Sequence, residues 1–159
     1  MRTLLLMLVS SLLALPAPAT AVAPPFGFAL EGALFRSSGP AAPGLTAVTT
    51  CWLTGGLQAE ARIGFGSADR PEVRAAAAVT PALGLRWGPW TGRWQPLVGV
   101  EVGVRLPADQ TSARPTGAVR GGLEWFWRRD LSASAGLSWR WSAGERPGAD
   151  LRLGIAWYP

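Results

Sequence analysis

The chain has no histidine and no lysine, and one cysteine among its 159 residues. Without histidine there is no Ser-His-Asp triad, no imidazole metal ligand and no ordinary general base near neutral pH. The single Cys51 has no disulfide partner within the chain and lies too far from the N-terminus to be a lipidated residue, so it reads as a small packed side chain. Neither a metal nor any other cofactor is expected. All fifteen basic residues are arginine, against ten acids, for a net charge of +5. Such a balance would suit an anionic polymer if it were gathered into a patch. The arginines are instead scattered singly, with one doublet at Arg128-Arg129, and no nucleic-acid partner is expected. Beyond the first residues there is also no apolar run long enough to cross a bilayer as a helix, which takes ~20 residues.

What the chain does have begins with an apparatus for export. Met1-Arg2-Thr3 supplies a positive end, residues 4–15 an apolar run, and residues 16–23 a stretch of small residues and proline containing Ala19-Thr20-Ala21. This is the pattern of a secretory signal peptide over residues 1–21, with cleavage as late as 23 as the alternative. Residues 24–159 then suffice for one domain.

That domain reads as eight segments of period two, at 26–36, 45–53, 57–66, 73–87, 95–106, 117–127, 131–141 and 149–158. Gly, Pro, Asp, Ser and Arg clusters separate them. Short links are expected at 54–56, 88–93 and 128–130, and the remaining loops at 37–44, 67–72, 107–116 and 142–148. Alternation is clearest from the third segment onward. Leu57, Ala59, Ala61, Ile63 and Phe65 oppose Gln58, Glu60, Arg62 and Gly64, and Val98, Val100, Val102 and Val104 oppose Gly99, Glu101, Gly103 and Arg105. The second segment is the weakest, with Thr46, Val48, Thr50 and Trp52 assigned to the apolar side.

Alternation alone leaves the pleat's direction open, since a soluble calyx puts its apolar face inside. Three features favour apolar side chains facing outward. The polar face is mostly Gly, Ala and Ser with isolated charges, which suits a narrow eight-stranded lumen. Its charges come in both signs, and buried charges must be paired; arginine, with its rigid fork of donors, is fitted to that task. A coding bias toward Ala, Gly, Pro and Arg would also remove lysine. Finally, with the N-terminus on the periplasmic side, Trp52, Trp87, Trp90, Trp94, Trp125, Trp127 and Trp157 fall at one rim and Trp139 and Trp141 at the other, as in an aromatic girdle.

Over residues 26–159 this pattern resembles the small eight-stranded outer-membrane proteins of the OmpA and OmpX type. The resemblance implies an all-β fold, an eight-stranded antiparallel up-and-down transmembrane β-barrel behind a signal peptide. It also implies a last strand read by the barrel assembly machinery. Leu151, Leu153, Ile155, Trp157 and Tyr158 look like such a strand, although Pro159 displaces the aromatic from the end.

The expected protein is therefore a monomer in the bacterial outer membrane, structural or accessory in role and non-catalytic. Its lumen would hold a charge network of Glu31, Glu60, Arg62, Glu101, Arg120 and Glu124. A basic outer mouth of Arg74, Arg105, Arg140 and Arg152 would meet membrane lipid, including lipopolysaccharide phosphates. Short loops disfavour an adhesin. Two alternatives stand beside this reading. One is a soluble secreted or periplasmic calyx that binds an apolar ligand. The other is a barrel enzyme acting on outer-membrane lipids; resemblance to the lipid A palmitoyltransferases and deacylases would imply a catalytic histidine, which this chain lacks. The four glutamates are the remaining source of acid-base chemistry, and their alternation with arginine points to structural ion pairs.

Overall fold

Period-two sequence becomes eight antiparallel strands in the computed structural model, which describes residues 26–36, 42–67, 77–108, 112–144 and 146–159. They are β1 (Phe26–Arg36), β2 (Ala42–Thr54), β3 (Leu57–Ser67), β4 (Ala77–Trp87), β5 (Trp94–Pro107), β6 (Arg114–Arg128), β7 (Leu131–Ser142) and β8 (Gly148–Trp157). Each strand pairs with the next in sequence, and β8 returns to β1, so the sheet closes without an edge. Closure gives every strand a partner on both sides, with one gap in the β4–β5 ladder at Thr80-Pro81, and pairing within a closed sheet is the condition for strands to survive without water. The expected signal peptide, Arg74 and the first residues of the fourth expected strand lie outside the described residues.

The hairpin at one end between β2 and β3 turns on Gly55 and Gly56, whose φ values of 52° and 82° are left-handed. A two-residue turn of that kind matches the twist of its strands and needs glycine or asparagine at both positions. β5 and β6 are longer than expected, so the loop between them shrinks from 107–116 to the residues between Pro107 and Arg114.

Residues paired across antiparallel strands share a face. Leu30 pairs with Ala47, Ala47 with Ile63, Ala61 with Leu83, Leu85 with Val100, and Val100 with Val119. That row is the outer surface: Leu30, Ile63, Leu83, Val100 and Val119 are exposed, Leu83 at 66%. The inner row is polar, with Glu60 3%, Arg62 3% and Glu124 1% exposed. The distribution is the reverse of a water-soluble core.

The second strand corrects the sequence reading. Val48 and Thr50 are buried, while Leu45 and Leu53 are exposed and Ala47, Thr49 and Cys51 share their outer face. The inward set is therefore Thr46, Val48, Thr50 and Trp52, not the outward one. The reason is registration: Val48 is flanked by Ala29 on β1 and Arg62 on β3, both on the inner face. Cys51 is likewise exposed on the outer surface rather than packed.

Candidate functional site: a charge-filled lumen

Six arginines and five acids of the described residues point into the barrel, and the ion pairs of five of these arginines with the acids form three connected tiers. In the middle tier, Arg62 on β3 pairs with Glu31 on β1, with Glu60 at 3.0 Å and with Glu101 on β5 at 3.4 Å. Glu60 also takes Arg120 of β6 and, at 3.0 Å, Arg86 of β4. Arg120 crosses the lumen over Gly84 and Gly99, where an added Cβ would stand 3.3 Å and 3.1 Å from its guanidinium. The nearer obstacle at each is a backbone carbonyl of the adjacent strand, Val100 at 3.1 Å from a Cβ at Gly84 and Leu85 at 2.8 Å from one at Gly99, so ladder and arginine together leave these positions to glycine.

The upper tier centres on Arg152 of β8. It reaches Glu101 at 3.3 Å, Asp150 at 3.2 Å and Glu31 at 3.8 Å. Asp150 also accepts from Arg140 at 2.7 Å and from the Ser138 hydroxyl at 3.0 Å. In the lower tier, Arg86 meets Glu124 at 3.3 Å and donates to Gln58 and, at 3.0 Å, to the Tyr158 hydroxyl. Tyr158 donates in turn to Glu124 at 2.6 Å, and Ser132 donates to the same oxygen. Tyr158 follows the last residue of β8, and burial, reinforced by the Glu124 carboxylate, pushes its phenol well above the usual range. It stays protonated and able to donate.

All six residues expected in the charge network line this interior. Within that set Glu101 and Arg120 make no ion pair with each other among the described residues; Glu101 belongs to Arg62 and Arg152. Of the expected basic mouth, Arg140 and Arg152 are drawn inward onto Asp150 and are not free cations at a surface. Arg105 is buried beside them, lining a cavity of about 60 Å³ with Arg62, Glu101, Arg140 and Arg152. Arg86, Asp150, Gln58, Gln95 and Tyr158 were missed as members of the network. Strand parity puts Gln58 in phase with Glu60, Gln95 with Glu101, and Asp150 and Tyr158 with Arg152, while Arg86 pairs across the ladder with Gln58.

The tryptophans divide. Trp94, Trp125, Trp127 and Trp157 at one rim, and Trp139 and Trp141 at the other, are exposed on the outer surface. Trp87, in phase with the outer face, donates its indole N–H to the Gly55 carbonyl at 3.0 Å. Trp52 and Trp90 turn inward instead. Trp90 packs on Phe126 with ring centroids 4.5 Å apart and on Trp52 at 5.6 Å, and Trp52 approaches Tyr158 at 6.4 Å. These two side chains form an aromatic lid under the lower tier rather than part of a girdle. Position along a strand gave their height; it could not give their face.

No protein-family model matches the chain, and no curated protein matches it. Solved structures do. Neisserial surface protein A superposes with a TM-score of 0.66 over 84% of this chain and 96% of its own, at 9% identity. The N-terminal β-barrel domain of Pseudomonas aeruginosa OprF gives 0.57 over 82% and 96%, at 14% identity. The architecture is that of the small eight-stranded outer-membrane barrels. A de novo designed transmembrane β-barrel also matches, with a TM-score of 0.52 over 82% of this chain and 93% of its own at 11% identity. A designed sequence shares no ancestry with this one, so the likeness is one of barrel geometry and carries no function with it.

Proposed function

We propose that this chain is an integral protein of the bacterial outer membrane, exported by its signal peptide. It would be a lipid-anchored structural or accessory barrel whose lumen is closed by its own side chains. The observation that carries this reading is the inversion of burial, with valines, leucines and tryptophans exposed around a belt and arginines and glutamates buried. Exposing that belt to water would be costly at ~25 cal/mol per Å² of apolar surface, whereas in lipid it is the required surface. Burying a carboxylate is tolerable only with paired, hydrogen-bonded partners, and each of Glu31, Glu60, Glu101, Glu124 and Asp150 has at least one arginine within 4 Å.

The calyx alternative needs an apolar interior and a polar exterior, and the barrel has neither. A barrel enzyme needs an accessible acid or nucleophile. The lumenal carboxylates are all held by guanidinium groups, and the chain has no histidine. The protein acts as a monomer, is folded by the barrel assembly machinery and contacts membrane lipid through the belt. Fractionation with heat-modifiable gel mobility tests the reading: a detergent-dependent species that migrates differently before and after boiling is expected, and a buffer-soluble one would refute it.

A further inference from the structure

The two described turns at the rim below β5 and β6 bring together an unusual surface. Trp94 stacks on Trp125, with ring centroids 5.8 Å apart and planes 24° from parallel, and Trp127 meets Trp125 edge-on at 5.6 Å. Trp125 and Trp127, two residues apart on β6, share its outer face, and the register shifts just there, between Phe126 and Arg128. Arginine flanks this stack on both sides. Arg93 precedes Trp94, and its carbonyl accepts from the Phe126 N–H at 2.8 Å, so the β4–β5 turn is tied to the end of β6. Arg128 and Arg129 follow Trp127, and Arg93, Arg128 and Arg129 are all exposed.

Only one of these three cations has an acidic partner among the described residues. Arg128 meets Asp130 at 3.3 Å, with side chains 70% and 44% exposed. Arg93 and Arg129 pair with no described acid. The β2–β3 turn at the same end, Thr54-Gly55-Gly56, carries no charge, so positive charge at this rim is gathered on one flank, beside the tryptophans.

We propose that this flank is a binding site for an anionic glycerophospholipid of the periplasmic leaflet. Its headgroup phosphate would be held by Arg93, Arg128 and Arg129 and its glycerol and upper acyl segments would lie on Trp94, Trp125 and Trp127. The inference rests on the membrane reading above, which sets this rim at the periplasmic headgroup boundary. Indole rings prefer that boundary. Guanidinium groups bind phosphate oxygens through paired, charge-assisted hydrogen bonds, and each basic residue near a membrane surface adds to the attraction for anionic lipid. Zwitterionic lipid offers the same phosphate with a cation beside it, which these arginines would repel. Anionic headgroups are therefore selected over neutral ones.

The test uses the full barrel refolded into phosphatidylcholine liposomes doped with spin-labelled phosphatidylglycerol or spin-labelled phosphatidylcholine, with the protein-associated fraction of each read by electron spin resonance. A preference for phosphatidylglycerol is expected. It should weaken as salt is raised and fall about fivefold or more in the triple variant R93Q/R128Q/R129Q. R146Q, an exposed arginine at the opposite end of the barrel, should leave it unchanged. Equal association of the two lipids, or a preference that survives the triple variant, overturns the proposal. Heat-modifiable mobility of the same samples reports insertion separately from lipid preference. A barrel that inserts without lipid preference refutes only this site, whereas a chain that never inserts refutes the membrane reading and the site together.

Discussion

Arg86 extends from β4 toward the end of β8 on the opposite wall, where its Nη2 donates to the Tyr158 hydroxyl at 3.0 Å. The same phenol donates to Glu124 of β6 at 2.6 Å, so one side chain past the final strand links three walls of the lower lumen. The ring lies over Gly27 of β1, where any Cβ would collide with it. Tyr158 thus fastens the β8 end to the interior beside the seam at which β8 meets β1.

Tyr158→Phe should therefore destabilise the barrel by about 1.5 to 3 kcal/mol, the usual effect of losing a hydrogen bond to a charged group. Gly27→Val should do at least as much by evicting the ring. Urea titration of the refolded protein in lipid measures both. Two variants with unchanged midpoints would show that the phenol holds nothing.

Glu60 is the most heavily shared acid, touching Arg62, Arg86 and Arg120. Glu60→Ala leaves three guanidinium groups facing one another in a buried space and is expected to cost about 3 to 5 kcal/mol. Thr50→Ala, also buried and inward but uncharged, should cost far less in the same titration.

The pairing pattern itself is open to a double-mutant cycle. Glu101 and Arg152, 3.3 Å apart, should show a coupling of about 0.5 to 3 kcal/mol. Glu101 and Arg120, which meet different partners, should couple more weakly than Glu101 and Arg152. The reverse ranking would mean that the lumen is wired differently.

Val100 lies near the middle of β5, is 52% exposed and pairs with Leu85 and Val119. Val100→Arg should destabilise the inserted barrel by about 2 to 4 kcal/mol, as for a cation at the bilayer midplane. A variant that inserts with wild-type stability would place this face away from lipid.

Much of this arrangement is legible in the sequence because the alternation is chemically stark. Leu57 to Phe65 against Gln58 to Arg62 sorts β3 into two faces without ambiguity, although which of them faces outward rests on the composition of the polar face. In β2 the two faces read Leu45, Ala47, Thr49, Cys51, Leu53 and Thr46, Val48, Thr50, Trp52, and their hydrophobicities are too similar to decide. Only the neighbours across the ladder fix the register. The charge network was legible as a set of inward residues and illegible as a set of pairs. Parity says which wall a side chain leaves from, but an arginine can cross the lumen, and Arg62 and Arg86 both do. Trp90 sits in a turn, where no period applies, so its inward packing on Phe126 left no trace in the pattern. Asp150 falls on the polar face of the eighth segment by parity, but parity does not show that it neutralises both Arg140 and Arg152.

An eight-stranded barrel of this composition fills its own interior. Barrels of this size leave room for side chains only, and aqueous channels come with ~16 strands. Here the ion-paired tiers lie above a lid of Trp52, Trp90 and Phe126. Planar-bilayer recording on the purified, refolded protein tests this most directly. Insertion without stable conductance steps is expected of a filled lumen, and large, steady, ohmic currents would mean that it is open.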